Sequence, residues 1–285
     1  MPPGSSAFCI RVARGVVRAA APDLYRRISF YRNEGRVQRV AKRIAGRYGL
    51  NVLDGPFKGL KYVPASAGSV FAPKLVGSYE AEIQPLIREA ISDNFRTVVD
   101  IGCAEGYYAV GLMVAMPQAT CVAFDSDPEA RALCARMAGL NGVADRISIH
   151  GKCESQALNA LNLEQAFVIC DCEGAEFDLL DPALVPSLRA CHILVEVHEC
   201  FRPGLTTTLC QRFVASHSVS LITVCKRDPS QYPHLSFLGR KDRALAVEES
   251  RPPGMLWAMM RPRARTTLEA DEPSAATKSQ AAATR

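Results

Sequence analysis

A glycine-containing turn that includes two acidic residues is the first group whose residue types and spacing suit ligand binding. It reads Asp100-Ile101-Gly102-Cys103-Ala104-Glu105-Gly106 and follows the β-branched run Thr97-Val98-Val99, which predicts a buried parallel strand. Gly102 and Gly106 would let the backbone approach a ligand where a side chain would block it. A helix beginning near Tyr107 would add free backbone N–H groups. The turn is therefore typical of a nucleotide-binding site, although its spacing alone is a weak signal.

A second acid lies where a nucleotide site would need one. Asp125 ends the apolar run 120–124, and Ser126-Asp127-Pro128 follows it. An acid at the end of the second strand, roughly 20 residues past the glycine turn, can hold ribose hydroxyls. The proline that follows suits the first turn of the next helix. Gly151, Lys152 and Cys153 end the third predicted strand and belong to the same edge.

Acids and a histidine follow the fourth and fifth predicted strands. Asp171 and Glu173 come after one, and Glu196, His198 and Glu199 end the other. His198 suits a general base, since the reference pKa of histidine is about 6.5, and Glu196 and Asp171 complete the predicted catalytic group. A histidine that only hydrogen-bonds at a strand end is the competing interpretation. The same side chains could instead hold a divalent ion, an interpretation we do not favour because a sequence gives no ligand distances.

A sheet is needed to bring these residues together. Strands are predicted near 97–102, 120–125, 147–151, 166–171, 192–198, 219–226 and 254–260, with helices near 107–116, 128–140, 154–162, 175–189 and 204–217. Before the first strand, a hairpin is predicted over 50–63 and a helix from Gly77 to about Ser92. Strand–helix alternation implies an α/β fold with a parallel sheet and helices on both faces. Ligands of such sheets bind at the carboxyl ends of the strands, near the switch in strand order. We therefore expect the ends of strands four and five to converge on one cleft.

The glycine turn and the second strand end carry a resemblance to a known family. DIGCAEG with VAFDSDP is similar to the cofactor half of class I S-adenosylmethionine-dependent methyltransferases, and Asp171-Cys172-Glu173-Gly174-Ala175-Glu176 is similar to the D-x-E-G-A-E stretch of the FkbM-like family. The resemblance covers about residues 75–200. It implies a Rossmann-like methyltransferase fold with a mostly parallel seven-stranded sheet. The last strand would be antiparallel and inserted, and the activity would be O-methylation.

The resemblance also implies roles for single residues. It assigns Asp100 and Gly102 to the methionine part of S-adenosyl-L-methionine and Asp125 to the ribose, and it places a tyrosine–acid pair, here Tyr79 and Glu80, near the cofactor. The family often has an acid after strand three for the adenine amine, where this chain has Lys152, so the adenine contact is in doubt. The full set of expected cofactor-binding residues is Glu80, Asp100, Gly102, Cys103, Gly106, Asp125, Ser126, Cys153 and Asp171.

The amino-acid composition restricts the classes of fold that the chain can adopt. The 285 residues are 48 % hydrophobic and 22 % charged, which allows a sizeable core in one domain of about 200 residues with terminal extensions. The 11 cysteines include no C-x-x-C pair, which favours a reduced, cytoplasmic protein over a disulfide scaffold or a zinc site. The uncharged stretch 106–124 is divided by Pro117, so a buried helix and strand are expected rather than a membrane span.

Charge divides the chain into a basic start and an acidic body. Residues 1–50 hold 11 Lys and Arg against 2 Asp and Glu, and the remainder holds 23 against 27. We predict a basic helical extension over 1–49, a methyltransferase domain with an N-terminal hairpin over 50–261 and a disordered tail over 262–285. The stripe Val37, Val40, Ala41, Ile44, Ala45 and Tyr48 favours a helix packed against the body. The alternatives are an interfacial helix drawn to anionic lipid and a transit peptide.

The sequence therefore predicts a methyltransferase that acts on a hydroxyl of a sugar, glycolipid or other small molecule. Its partners would be that acceptor and an anionic membrane surface at the basic N-terminus, which would make a cytoplasmic protein peripheral to the membrane. One alternative is an RNA methyltransferase that grips phosphates with the same basic segment. The other is a non-catalytic cofactor-binding protein at the membrane. The sequence does not name the acceptor or the oligomeric state.

Overall fold

The computed structural model describes residues 22–249, 251 and 254–263. Its helices are α1 (Pro22–Tyr48), α2 (Phe71–Val76), α3 (Gln84–Asp93), α4 (Tyr107–Ala115), α5 (Pro128–Leu140), α6 (Ser155–Asn159), α7 (Glu176–Leu179), α8 (Leu205–Phe213) and α9 (Arg240–Ala246). Its strands are β1 (Thr97–Ile101), β2 (Thr120–Phe124), β3 (Ile147–His150), β4 (Phe167–Cys170), β5 (His192–Val197), β6 (His217–Thr223) and β7 (Leu256–Pro262). Residues 1–21 of the predicted basic extension and residues 264–285 of the predicted tail lie outside the described residues. The predicted start of that tail is corrected, because Pro262 is the last residue of β7.

A seven-stranded sheet forms the centre of the molecule. Its strand order is β3-β2-β1-β4-β5-β7-β6, and the chain switches direction between β1 and β4. The pairs among β1 to β5 are parallel, whereas β7 is antiparallel to both of its neighbours, β5 and β6. This arrangement confirms the predicted Rossmann-like α/β fold and the antiparallel inserted strand. The sheet is accordingly mixed.

The strands form where short β-branched and apolar runs are covered on both faces. The four residues of β4 are all fully buried, as are most residues of β1 and β5. Such runs suit the central strands of a parallel sheet, which are covered on both faces. Two apolar clusters result, one on each side of the sheet, and they include Val98 and Phe167 on one side and Val99 and Val168 on the other. The polar residues that follow each strand therefore emerge at one edge.

Two predicted helices and the hairpin differ from the structure. The helix predicted over 175–189 is α7 followed by a separate 3₁₀ helix, Pro186–Ala190, because proline cannot continue a helix. The helix predicted from 77 begins only at Gln84, since Gly77 ends α2 at φ +82° and Glu80 has φ +48°. In the described residues, the hairpin predicted over 50–63 pairs through a single antiparallel bridge, Asn51–Lys61.

The second half of α1 packs on the body through its apolar stripe. Val40, Ala41 and Ile44 are at most 3 % exposed, which confirms the packed-helix prediction for this part of the chain. Several basic side chains of α1 also have partners in the body. Arg36 and Arg43 bind Asp242 of α9, and the Arg47 guanidinium lies 5.0 Å from the Phe237 ring centre. The domain boundaries and the anionic-surface partner stay predictions, and among the described helices none has the length and hydropathy to cross a membrane.

Candidate functional site

A cavity of about 350 Å³ lies at the carboxyl ends of β1, β2 and β4. Its floor is the turn after β1, where the polypeptide backbone of two strands comes very close. Gly102 has φ +88°, and a Cβ atom on it would lie 1.7 Å from the carbonyl oxygen of Asp171. Only glycine fits this close approach. Seven of the expected cofactor-binding residues line the cavity, and they are Asp100, Gly102, Cys103, Asp125, Ser126, Cys153 and Asp171.

Asp100 closes the β1 end of this floor and has a free acceptor atom. Its side chain is 3 % exposed, and its carboxylate accepts a hydrogen bond from the backbone N–H of Ala109 in α4. Oδ2 is buried and has no hydrogen-bond partner among the described residues. Burial raises the pKa of Asp100 to about 7. The carboxylate therefore caps the following helix and also presents an unsatisfied oxygen to a ligand, which is costly to leave unpaired.

The Asp125 carboxylate holds the glycine turn in place and can still accept further hydrogen bonds. Its Oδ2 accepts from the backbone N–H of Ala104 at 2.8 Å, and its Oδ1 accepts from that of Asp127 at 2.9 Å. Ala104 has φ +48°, a conformation that costs a non-glycine residue about 1–2 kcal/mol. A carboxylate has about four lone-pair sites, so each oxygen of Asp125 can still accept a hydroxyl. The predicted ribose contact is compatible with this geometry.

The ends of β2 and β3 form the side of the cavity where the resemblance predicts the adenine contact. Ser126 and Asp127 line it from β2, and Lys152 and Cys153 line it from β3. Cys153 is 6 % exposed, and burial raises the pKa of its thiol to about 12. The thiol is therefore neutral and can pack against a ring. Lys152 lines the cavity at the position where the family often has an acid.

The loop 64–70 covers the cavity and is held by Glu105. Glu105 is fully buried, and its carboxylate binds the Lys74 ammonium at 2.6 Å, the Ser66 hydroxyl at 2.8 Å and the backbone N–H of Ala67 at 3.0 Å. The Tyr62 hydroxyl donates to the same carboxylate. Ala67, Gly68, Ser69 and Lys74 line the cavity. Sequence reasoning placed Glu105 at a strand end but did not find this network, because its members are far apart in the chain.

Two of the expected cofactor-binding residues do not line the cavity. Glu80 is fully buried behind its wall, where its carboxylate binds the Arg251 guanidinium and accepts from the Tyr108 hydroxyl. Gly106 begins α4, and a Cβ atom on it would lie 2.9 Å from the Cys134 Sγ. Its absent side chain thus allows α4 to approach α5. Neither residue lies on the surface of the cavity, because protein neighbours occupy the space around each of them, and the two predicted cofactor contacts stay predictions.

The residues predicted to be catalytic meet beside the cavity. His198 is 1 % exposed, and its Nε2 lies 3.5 Å from Asp171 Oδ1, 3.6 Å from Glu173 Oε2 and 3.9 Å from Glu196 Oε2. Its Nδ1 lies 2.7 Å from Glu176 Oε1. The expected convergence of the β4 and β5 ends is therefore present. Asp171 and Glu173 line the cavity, whereas Glu196 and His198 lie behind them.

This environment disfavours His198 as a general base. Burial opposes its charged form, but the hydrogen bond to Glu176 and the charge of Asp171 raise its pKa above the ordinary value. A raised pKa favours the protonated imidazole ring, and that form has no free nitrogen to accept a proton. Burial and the neighbouring Asp171 carboxylate raise the pKa of Glu196, and burial and Glu80 raise that of Asp171. Of these two carboxyl groups only Asp171 lines the cavity, so Asp171 is better placed than His198 to receive a proton.

Arg251 organises the back of this group and was not found from the sequence. Its guanidinium binds Glu80 and Glu196, and it binds Glu249 Oε2 at 2.9 Å. Only its charge could have indicated a role, since it lies in a polar segment of the chain that resembles a surface loop.

Asp171, Glu196 and His198 each offer one ligand atom, and these atoms lie within 4.8 Å of one another. This trio is the candidate metal-binding group among the described residues.

Comparisons with known proteins give distant likenesses. No protein-family model matches the chain. A segment of 68 residues is 38 % identical to the release factor glutamine methyltransferase of Cereibacter sphaeroides and covers 24 % of this chain and 24 % of that protein. The match thus spans about a quarter of that curated relative.

Solved structures of methyltransferases are similar over a larger part of the chain. One is the O-methyltransferase TomG from Streptomyces achromogenes in complex with SAM, at 14 % identity and TM-score 0.42 over 62 % of this chain and 77 % of that one. Another is the O-methyltransferase from Bacillus cereus in complex with SAH, at 11 % identity and TM-score 0.43 over 79 % and 91 %. The ligand and reaction of this chain must therefore be inferred from its own residues.

Proposed function

We propose that the chain is an S-adenosylmethionine-dependent methyltransferase of the FkbM-like group that methylates a hydroxyl oxygen. The observation that carries this proposal is the pair of acids at consecutive strand ends. Asp100 presents a buried, unpartnered oxygen, and Asp125 holds the turn while keeping free lone pairs. Both line one cavity whose floor is Gly102. This combination fits a ligand with a cationic amino-acid end and a ribose.

The cavity residues suit the charges of this cofactor. S-adenosylmethionine carries an ammonium, a carboxylate and a sulfonium, and Asp100 can accept from the ammonium while Asp125 accepts from ribose hydroxyls. The rings of Tyr79, Tyr107 and Tyr108 line the same cavity, and aromatic faces attract cations within about 6 Å of their centres. Lys74 also lines the cavity, and its ammonium, whose charge is balanced by Glu105 at 2.6 Å, has further N–H groups that can donate to the carboxylate. The donors and acceptors thus match the ligand.

The chain's own residues have to orient the acceptor and remove its proton. Bound S-adenosylmethionine would supply the methyl group, and the enzyme would hold the acceptor oxygen in line with it. The proton has to leave toward Asp171 and Glu173, because these two carboxylates line the cavity wall. Glu196 and His198 would hold Asp171 in position from behind. Of the three residues predicted to be catalytic, Asp171 is the one placed to touch substrate.

The acceptor is proposed to be a sugar, glycolipid or other small hydroxyl compound. Phe201 is 60 % exposed and stacks on His198 with ring centres 5.6 Å apart. It offers an apolar face beside Glu173, which is also exposed. A carboxylate next to an exposed aromatic ring suits a molecule that has both hydroxyls and an apolar face. These features support a small acceptor more than a nucleic acid.

Calorimetry with S-adenosylhomocysteine tests the cofactor, and labelled S-adenosylmethionine tests the acceptor. We expect Asp100→Asn to weaken binding about 10- to 150-fold, which corresponds to the 1.5–3 kcal/mol of a hydrogen bond to a charged group. Asp145→Asn, an exposed acid away from the cavity, is the matched control. Label should enter a glycan or lipid fraction. Label in RNA would favour the alternative acceptor, and binding without label in any fraction would favour a non-catalytic protein.

A further inference from the structure

Three side chains from two neighbouring strand ends form a group that we call the β4–β5 cluster. Its members are Asp171, Glu196 and His198, whose ligand atoms lie within 4.8 Å of one another. Glu196 and His198 are buried, while the Asp171 side chain is 31 % exposed and lines the cavity. The cluster therefore lies between the protein interior and the cavity, where a bound ion could reach a substrate.

The His198 ring is fixed so that Nε2 faces the cluster. Glu176 is fully buried, and its Oε1 lies 2.7 Å from His198 Nδ1. Nδ1–H therefore donates to Glu176, and Nε2 points at the carboxylates. Histidine ligands of metals have this same arrangement, with the second ring nitrogen donating to a carboxylate. The buried Glu176 is thus an independent sign that Nε2 is presented to a ligand.

His198 Nε2 is too far from either carboxylate of the cluster to be hydrogen-bonded to it, although Asp171 and Glu196 share a hydrogen bond with each other. Nε2 lies 3.5 Å from Asp171 Oδ1 and 3.9 Å from Glu196 Oε2, whereas charge-assisted N–H···O bonds measure about 2.7–2.9 Å. Asp171 Oδ1 is buried and has no hydrogen-bond partner among the described residues. Two carboxylates and a nitrogen that face one another need a positive charge between them, which is either a proton or a metal ion.

Glu196 is oriented as a ligand by a contact on its far side. Arg251 binds Glu196 Oε1 and leaves Oε2 directed at His198. Arg251 also binds Glu80 and Glu249, so its own charge is balanced by carboxylates outside the cluster. Each member of the cluster therefore has one side held by the protein and one donor atom turned inward. Such outer contacts orient metal ligands and tune the ion.

We propose that the β4–β5 cluster binds a divalent cation through Asp171 Oδ1, Glu196 Oε2 and His198 Nε2. Ligands about 2.1–2.4 Å from an ion lie about 3.0–3.4 Å apart when they are at right angles. The Nε2–Asp171 separation of 3.5 Å therefore has to shorten by about 0.1–0.5 Å and the Nε2–Glu196 separation of 3.9 Å by about 0.5–0.9 Å. One imidazole with two carboxylates suits Mn²⁺, Fe²⁺ or Zn²⁺ better than Mg²⁺ or Ca²⁺. Glu173, whose Oε2 is 3.6 Å from Nε2, remains free to complete the site or accept a proton.

The ion would activate the acceptor hydroxyl. This role rests on the proposed methyl transfer, whereas the proposal that the cluster binds a cation does not depend on it. The acceptor oxygen would occupy an open position on the ion, which lowers the pKa of its hydroxyl. The O–H bond breaks and the proton goes to Glu173. The oxygen lone pair then forms the C–O bond, and the electron pair of the S–CH₃ bond goes to sulfur. The products are a methyl ether and neutral S-adenosylhomocysteine.

Mn²⁺ titration of the full chain, after treatment with a chelator, tests the site without any turnover. We expect one Mn²⁺ per chain by calorimetry and by electron paramagnetic resonance of the free ion, and at least tenfold weaker binding in Asp171→Asn and His198→Gln. Asp178→Asn is the matched control, because Asp178 is a neighbouring exposed acid whose side chain is 74 % exposed. Circular dichroism verifies folding, and the half-exposed Asp171 keeps the test valid if His198→Gln unfolds.

The possible outcomes separate the metal site from the proposed function. A wild-type chain that binds neither Mn²⁺ nor Zn²⁺, or an Asp171→Asn variant that binds Mn²⁺ as tightly as wild type, would overturn the site. In the first case the positive charge among the three side chains is supplied by protons alone. S-adenosylhomocysteine binding is measured on the same sample. If the chain binds S-adenosylhomocysteine but no metal ion, only the metal site is refuted. If the chain binds the metal ion but not S-adenosylhomocysteine, only the proposed function is refuted.

Discussion

The buried ion pair beneath the cavity loop gives the sharpest prediction of stability. Glu105 and Lys74 have side chains that are 0 % and 3 % exposed, and their charged atoms are 2.6 Å apart. Burial opposes ionisation of Glu105, but Lys74 and the hydroxyl of Tyr62 hold its pKa below the ordinary value. The stabilisation is therefore fully present above the ordinary glutamate pKa and is lost as the pH falls through the lowered pKa.

Glu105→Gln removes the charge while nearly conserving the shape of the side chain. The amide oxygen can still accept from Lys74 or Tyr62, but the amide NH₂ would then face the backbone N–H of Ala67, which now donates to Oε2 at 3.0 Å. Removing one partner of a buried ion pair costs about 3–5 kcal/mol, because the other charge stays buried without compensation. We expect destabilisation in this range, together with weaker S-adenosylhomocysteine binding, since loop 64–70 would lose its anchor.

Urea unfolding followed by circular dichroism measures this effect. The double variant Lys74→Met/Glu105→Gln is the matched control, because it removes both charges and should recover much of the loss. Glu129→Gln, at an exposed acid of α5, reports the effect of removing a surface carboxylate. A loss under about 1 kcal/mol in Glu105→Gln, the level of an exposed ion pair, would refute the reasoning. A double variant no more stable than Glu105→Gln would show that the Lys74 charge is not the cause.

Two further predictions concern the floor of the cavity. Gly102→Ala should destabilise the chain by about 2–5 kcal/mol, which is the sum of the energetic costs of a left-handed backbone conformation and of overpacking against Asp171. Gly139→Ala is the control, because nothing lies within 4 Å of a Cβ atom there, and it should leave stability unchanged or raise it. Urea unfolding measures both effects. Because the pKa of Asp100 is raised to about 7 and its ionised form would bind the ligand ammonium, S-adenosylhomocysteine affinity should rise with pH up to about 7 and then level off. Calorimetry that gives one affinity from pH 5.5 to 8.5, or the same slope in Asp100→Asn, would contradict this role.

The fold could be predicted because its strands are local features of the sequence. β1, β2 and β4 are short apolar runs that are followed directly by an acid or glycine, so β1 and β2 begin and end close to the predicted residues. The same property placed Asp100 and Asp125 at the cavity. The antiparallel position of β7 followed from family resemblance rather than from its residues. Proline marked where the helix predicted over 175–189 is interrupted.

The rest of the site could not be predicted because it depends on pairs that are distant in the chain. Glu80 was expected at the cofactor, but its carboxylate is taken by Arg251, a residue 171 positions away. Glu105 was expected at a strand end, and its partners Tyr62 and Lys74 come from segments with no motif of their own. The pKa of His198 depends on Glu176 and Asp171, which a tertiary contact brings to it. Such contacts leave no periodic signal in the sequence.

One backbone contact joins the two halves of the proposed reaction. Asp171 places its carbonyl oxygen where a Cβ atom of Gly102 would be, while its side chain belongs to the β4–β5 cluster. The peptide that shapes the cofactor floor therefore also sets the position of the ligand atom on the acceptor side. A displacement of β4 relative to β1 would move both at once. For this reason a substitution at Gly102 should impair Mn²⁺ binding as well as S-adenosylhomocysteine binding, although Gly102 itself offers no ligand atom to the ion.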